Sequence, residues 1–426
     1  MRNGSSSTNR RIFLMNSAAA ASAAATVNLA HVAHAAGTDT IRVGLVGCGG
    51  RGTGAAEQAL SADEGCRLVS MAELFKDRAQ SSLETLLRSK VGDRVDVTED
   101  TIFTGFDAYK DVIDSCDVAV LTTTPHFRPI HFAYAVEKNK HAFVEKPMAT
   151  DPAGLRQYLQ SVRDAAEKGL SVVHGFCWRY HYPRRATMQQ VFDGAIGDIR
   201  AVETTYNSQG VWDPRKTREE CSSEMEYQLR NWYYYTWLSG DHIVEQAVHG
   251  IDTMNWAMQG ALPERAWGVG GRQVRTAERY GNIYDHFSVV YEYPGDVRGY
   301  HHCRHWPNTD NQVKDYVIGS KGICDVFGNR ISGETRWRYR GESNNMYQTE
   351  HDEMYAALRK GEPINNGEEA ATSTLLAIMG RMVAYTGKTY TWDEALNHPE
   401  RLGPESYEWG DAPNNPIPVP GVTDIA

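Results

Sequence analysis

Short apolar runs alternate with amphipathic stretches along the first half of the chain. Ile41 to Val46, Arg67 to Ala72, Asp117 to Thr122, His141 to Val144 and Ser171 to Phe176 read as strands buried on both faces. Helical periodicity falls between them, at 52–61, 75–89, 128–138 and 151–168. Strands separated by helices predict a parallel sheet covered on both sides. After about residue 177 the pattern changes. A helix near 184–194 leads to a strand near 199–206, then to an irregular aromatic-rich segment at 207–240 and one helix at 243–259. Strand-like runs follow at 265–275, 285–293, 297–305, 312–318 and 322–326, with short links that suggest antiparallel hairpins. Helices return at 347–360 and 367–386. The pattern is that of an α/β protein: a doubly covered parallel sheet, then an α+β domain with an open, mostly antiparallel sheet.

The N-terminal 35 residues stand apart. Arg10-Arg11-Ile12-Phe13-Leu14 is followed by a mildly apolar, alanine-dominated stretch, and Ala33-His34-Ala35 offers small residues where a signal peptidase reads. This pattern predicts a cleaved twin-arginine (Tat) signal and an extracytoplasmic, periplasmic location. The expected division is 1–35 signal, 36–176 first domain, 177–400 substrate and oligomerisation domain, and 401–426 tail. The net charge of −10 argues against a nucleic-acid or anionic-membrane partner. No membrane span is expected after cleavage. Seven scattered cysteines with no C-x-x-C suggest neither a disulfide framework nor a zinc knuckle.

Gly47-Cys48-Gly49-Gly50-Arg51-Gly52 fits G-x-G-x-x-G directly after the first strand and at the start of a helix. Glycines there allow a tight turn and let the backbone approach a pyrophosphate at a helix N-terminus, as in a Rossmann dinucleotide-binding domain. Glu73 follows the second strand, where an acid hydrogen-bonds a ribose 2′-hydroxyl and disfavours a 2′-phosphate. NAD is therefore the expected cofactor. Arg51 beside the loop keeps NADP open. Glu145-Lys146-Pro147 closes the fourth strand, on the sheet edge where ligands bind.

The glycine fingerprint, Thr122-Thr123-Thr124-Pro125, then Glu145-Lys146-Pro147 together resemble the Gfo/Idh/MocA oxidoreductase superfamily. Phe176-Cys177-Trp178-Arg179-Tyr180, Gly194-Ala195-Ile196-Gly197 and the helices from His351 to Glu394 extend the resemblance over about 41–397. It implies a nicotinamide enzyme acting on the CH–OH group of a sugar, polyol or glycoside, with Lys146 as catalytic lysine. Thr123, Thr124, Pro125, Glu145 and Lys146 would then lie against the cofactor. The family's helix with Asp and His four residues apart corresponds here to Glu245 and His249, with Asp241 in place of a glycine. That spacing puts Glu245 and His249 on one helical face. Arg179, Tyr180, His181, Asp241 and His249 are the candidate substrate residues, and Arg128 stands where the family usually carries a histidine. Alcohol oxidation needs a base for the hydroxyl proton, a role open to His249 or to Lys146.

His301-His302-Cys303-Arg304-His305 resembles a metal tract, but lacks a second cluster at ligand spacing, and no metal is expected. Trp232-Tyr233-Tyr234-Tyr235-Thr236-Trp237 could pack a sugar face or a core. An exported enzyme meets little free NAD, so a tightly held, internally recycled cofactor is expected. Two other readings are a glycoside hydrolase or lyase that oxidises a ring hydroxyl transiently, and a non-catalytic sugar-binding protein. A homo-oligomer through the C-terminal sheet completes the expectation.

Overall fold

The structure is a computed structural model and describes residues 40–425. The segment 1–35, expected to be a signal, lies outside the described residues. The first sheet has six strands, all parallel, in the order β3-β2-β1-β4-β5-β6. Its chain order is β1 (Ile41–Val46), α1 (Gly50–Ala62), β2 (Cys66–Glu73), α2 (Lys76–Leu87), β3 (Ile102–Thr104), α3 (Ala108–Ser115), β4 (Val118–Leu121), α4 (Arg128–Glu137), β5 (His141–Val144), α5 (Pro152–Glu167) and β6 (Val172–His174). The apolar runs become the central strands because both faces are covered; Val43, Leu45, Val118, Val120 and Phe143 are fully or almost fully buried. The chain reverses its direction of sheet growth beside β1, which pairs with both β2 and β4. A crevice therefore opens at the carboxyl ends of those strands. The edge strand β3 and helix α3 have no strong sequence pattern and were not expected.

The second domain starts with α6 (Tyr182–Phe192) and β7 (Ile199–Ser208). The aromatic segment forms short helices, α7 (Glu224–Arg230) and α8 (Thr236–Ser239), rather than irregular chain. The expected helix at 243–259 is two: α9 (His242–Glu245) and α10 (Val248–Ala257). Then come β8 (Arg265–Gly271), β9 (His286–Tyr293), β10 (Val297–His305), β11 (Gln312–Gly319), β12 (Gly322–Asp325), β13 (Arg330–Gly333), β14 (Trp337–Arg338), α11 (Met346–Lys360), α12 (Gly367–Thr386), β15 (Tyr390–Thr391) and α13 (Trp392–Leu396). The nine strands run in the order β14-β13-β12-β11-β7-β10-β9-β8-β15. All pairs are antiparallel except β7 with β10, which are parallel because a long connection carries the chain back beside its first strand.

Helix α12 is buried nearly all round beyond its acidic first turn, along the largely apolar stretch from Leu375 to Tyr385. It packs between β8, α10 and α5, so it joins the two domains. Helix α11 returns to the first domain and packs on α1. No helix of the described residues is long and apolar enough to cross a membrane.

Candidate active site

The crevice holds a cleft of about 450 Å³ between the domains. One wall is the glycine turn. Gly47 has φ +97°, and a Cβ there would lie 2.7 Å from the Thr123 nitrogen. A Cβ on Gly52 would collide with the Gly47 carbonyl. Gly49 and Gly50 differ: a Cβ on either meets nothing within 4 Å, because both face the open cleft. Helix α1 begins there without a side-chain cap, so its first N–H groups and its positive dipole end are left for an anionic ligand. Glu73, at the end of β2, is held by three N–H groups: Cys48 on Oε2 at 2.8 Å, and Leu74 at 2.8 Å and Phe75 at 3.3 Å on Oε1. Its carboxylate faces the cleft beside the glycine turn with lone pairs to spare. This bare backbone cradle with an acid beside it fits the pyrophosphate and ribose of a dinucleotide.

Arg51 is directed elsewhere than its place in the loop suggests. Its guanidinium bridges Glu145 at 2.5 Å and Glu350 at 3.3 Å, and lies 5.0 Å over the Tyr347 ring. Burial and the neighbouring Glu145 charge push Glu350 toward its neutral form. Arg51 thus serves as an internal counter-ion, and its side chain is spoken for before any 2′-phosphate arrives.

The opposite wall carries the expected proton-handling groups. Lys146 Nζ donates to the main-chain carbonyl of Glu245 at 2.6 Å and to its carboxylate at 3.3 Å. That carbonyl is free because the helix breaks after Glu245 and restarts at Val248. The break is pinned by Gln246, whose amide donates to the Tyr206 hydroxyl at 2.5 Å. His249, on the first turn of α10, is buried and stacks on Trp178 at 5.0 Å between ring centres. Its Nδ1 has no partner. Burial, then the positive charges of Lys146 and Arg184, hold it well below the ordinary histidine range, so it is neutral. Arg128, which replaces the expected histidine, is buried and donates to the carbonyls of Pro147 at 2.6 Å and Thr123 at 2.8 Å. It ties the end of β4 to the turn that carries Lys146. Burial brings its proton affinity down to about 10.

The cleft thus gathers Gly47, Gly49, Gly50, Arg51, Gly52, Glu73, Thr123, Thr124, Glu145, Lys146, Glu245 and His249. Pro125 starts a buried turn behind Thr124 and is outside it. Four expected substrate residues are also outside. Arg179 is bound to Asp252 at 2.9 Å and to Glu369 at 2.9 Å, and with Tyr180 it lines a separate surface cavity. Tyr180 accepts from Asn366 at 3.1 Å. His181 pairs with Ser343 at 3.1 Å. Asp241 is wholly buried, with Oδ1 taken by His242 and Oδ2 by the Tyr284 N–H and the Tyr385 hydroxyl. No lone pair is left for a polyol. In the histidine-rich strand, Thr204 holds His301 at 2.8 Å, and His305 stacks on His242 at 4.2 Å. Of the aromatic run, Trp232 reaches the cleft while Tyr233, Tyr234, Tyr235 and Trp237 form a buried cluster. Phe75, Arg78, Arg215, Gln246 and Tyr347 also line the cleft and were not foreseen. Arg78 follows Glu73 closely enough to have been considered, whereas Arg215 reaches the cleft only through tertiary packing.

Residues 41–174 match the family model for an oxidoreductase family with an NAD-binding Rossmann fold, and 185–325 match the Gfo/Idh/MocA C-terminal domain. Inositol 2-dehydrogenase 3 of Saccharopolyspora erythraea is 27% identical over 292 residues, 66% of this chain and 72% of that protein. The 2,7-anhydro-N-acetylneuraminate hydratase of Escherichia coli is 24% identical over 57% of this chain, which spans only 59% of the hydratase's length. The aldose-aldose oxidoreductase of Caulobacter crescentus, solved with glycerol, shares the fold with a TM-score of 0.64 at 17% identity, over 83% of this chain and 99% of its own. The chain belongs to the Gfo/Idh/MocA oxidoreductase family, with its NAD-binding Rossmann fold.

Proposed function

We propose that this protein is exported by a Tat signal, oxidises a hydroxyl-bearing carbon of a sugar, polyol or glycoside, and keeps its nicotinamide bound through the cycle. The observation that carries the reading is a single cleft with two different walls. One is a bare glycine cradle with Glu73. The other presents Lys146, the Glu245 carboxylate and the neutral His249.

The residues of the glycine cradle and Glu73 would hold a nicotinamide dinucleotide, which would supply a hydride acceptor for the carbinol carbon. The hydroxyl proton must leave as the C=O bond forms, and a positioned neutral base takes it. His249 is neutral and has an unpartnered ring nitrogen; Lys146 supplies a cation to hold the developing oxygen charge. Glu245 positions the Lys146 ammonium through both its backbone carbonyl and its carboxylate. In a second half-reaction the same groups would return the proton to the oxygen of a carbonyl substrate whose carbon takes back the hydride, so the nicotinamide would not have to leave the cleft. Export of a folded, loaded protein supports such recycling, since free dinucleotide outside the cytoplasm would not replenish a lost cofactor.

The test is to purify the exported protein, denature it and identify the released nucleotide by mass. A panel of sugars, polyols and glycosides is then scanned for single-turnover change in nicotinamide absorbance. Stoichiometric NAD and reduction by at least one sugar are expected. Protein that neither holds nor binds a nicotinamide nucleotide would return the fold to a non-catalytic binding role. Replacement of Arg10 and Arg11 by Lys should leave the precursor inside the cell, and unchanged export would remove the Tat part of the reading.

A further inference from the structure

The arm at 209–235, between β7 and α8, reaches from the second domain to the mouth of the cleft. Asn231 is fully buried and fixes its shape: Oδ1 accepts from the N–H groups of Arg215 at 2.7 Å and Lys216 at 3.2 Å, and Nδ2 donates to the Lys216 carbonyl at 3.0 Å. The arm docks through Arg230. Its guanidinium lies 3.8 Å from the centre of the Phe75 ring and pairs with Asp77 at 3.4 Å. Phe75 also meets Trp409 of the C-terminal tail, with 6.0 Å between ring centres. Two chain segments of the second half thus converge on the corner that follows Glu73.

At this corner the cleft is lined by Arg78 from the first domain and Arg215 from the arm. Neither has an acidic partner within ion-pair reach among the described residues. Arg78 has the Phe75 ring at 5.7 Å and Arg215 the Trp212 ring at 4.1 Å. Burial, then the charge of Arg78, pulls Arg215 below its ordinary proton affinity. Two guanidinium groups from different domains repel each other at the rim of a cleft whose floor is a phosphate-binding turn. Their arrangement is favourable once an anion sits between them, and guanidinium with phosphate is the strong, geometrically matched pair.

We propose that Arg78 and Arg215 form a two-domain clamp on phosphoryl charge near the adenosine end of the bound dinucleotide, so that the arm locks the cofactor in the cleft. The inference rests on the nicotinamide reading above and adds how retention is achieved. The phosphoryl charge comes from the pyrophosphate or from a 2′-phosphate. The two sources are separable because NAD carries only the first.

The experiment compares the full-length exported protein with Arg215→Gln, Arg78→Gln and Arg215→Lys variants. Nucleotide retained through gel filtration is measured by mass, and NAD and NADP are titrated into protein stripped of nucleotide. Loss of one charged contact predicts a rise in Kd of roughly 10–100-fold for each Gln variant, and a smaller rise for Arg215→Lys. Loss for both dinucleotides places the clamp on the pyrophosphate, and loss for NADP alone places it on the 2′-phosphate. Arg218→Gln is the control, since Arg218 lies on the same arm but pairs outward with Glu224 and Glu278. Wild-type affinity for both dinucleotides in the two Gln variants, or an equal loss in Arg218→Gln, overturns the clamp. If the parent binds neither dinucleotide, the nicotinamide reading falls with it.

Discussion

Two carboxylate–histidine pairs follow one another on one stretch of chain, their acids four residues apart and their histidines seven, and they have opposite fates. Asp241 and His242 are buried: Asp241 is 0% exposed and every contact it makes is with the protein. Glu245 and His249 line the cleft, where Glu245 meets Lys146, and the buried Nδ1 of His249 has no partner. Each pair offers one carboxylate and one imidazole. The backbone separates them. Gly240 and Asp241 both adopt positive φ, +75° and +74°, which turns the Asp241 side chain back onto the N–H of His242 and into the core. The break after Glu245 then aims that residue's carbonyl at Lys146 and restarts the helix with His249 facing the cleft. A polar residue beside a catalytic motif is functional only if its lone pairs are left unused by the fold.

The largest effect that tests this contrast is on turnover. Lys146→Ala and His249→Ala should each lower single-turnover rate by roughly 10²–10⁴-fold, the worth of a positioned acid or base. Both should keep the nucleotide, which the glycine cradle and Glu73 hold. The double variant should be little worse than the worse single one, because groups acting as a unit are not additive. Parent-like rates in both single variants, on every active sugar, would move the chemistry away from this pair.

Asp241→Ala should do the reverse. It strips a buried set of bonds from Tyr284, Tyr385 and His242, at a cost of about 3–5 kcal/mol of stability. Urea titration reads the loss, while the folded fraction keeps its KM for sugar. A raised KM with unchanged stability would restore Asp241 as a substrate ligand.

This pair also shows what the sequence could and could not convey. The parallel strands, the glycine turn, Glu73 and the Lys146 turn were legible because local pattern dictates them: an apolar run, a sterically required glycine, an acid at a strand end. Asp241 was misread because a residue in a usual glycine position looked like an added ligand, when its own side chain stabilises the left-handed turn. Arg179 was misread because Asp252 and Glu369, which hold it, lie far away in sequence. Arg215 could not be foreseen at all, since only the docking of the arm through Arg230 brings it to the cleft. The single helix at 243–259 fails for a related reason. Periodicity continues through Gln246 and Ala247, but tertiary bonds from Lys146 and Tyr206 compete for the break.

Acid separates the two pairs more subtly. His249 is neutral from burial and from Lys146 and Arg184; on the Asp241 side His305 is held well below the ordinary range, and nearby His301 is brought down to about 3, both mainly by burial. Each of these groups has a depressed folded-state value. Each therefore contributes stability that is present above the unfolded value of about 6.5 and is lost as pH falls toward the folded value. Melting temperature should fall steadily from pH 7 to pH 5. Over the same window the single-turnover rate of protein that remains folded should stay nearly flat, because His249 keeps its accepting nitrogen. A rate that drops with a midpoint near 6.5 would show His249 titrating as an exposed histidine and would remove the burial argument.

The smallest effect is expected from Glu245→Gln. Lys146 is held by two groups of one residue, the carbonyl at 2.6 Å and the carboxylate at 3.3 Å. The substitution leaves the shorter, main-chain bond and keeps a side-chain oxygen of the same reach. What it removes is charge on a partly solvated side chain, worth about 0.5–1.5 kcal/mol, or roughly 2–10-fold in rate. The loss should appear in the chemical step and leave nucleotide content unchanged. Proline at Gln246 is the sharper companion. It abolishes the Gln246 amide bond to Tyr206 and the N–H that closes α9 onto His242, so it should cost more than Glu245→Gln if the backbone carbonyl is what positions Lys146. A Glu245→Gln loss as severe as that of His249→Ala would instead make the carboxylate itself the proton acceptor, and the helix break merely the route by which it arrives.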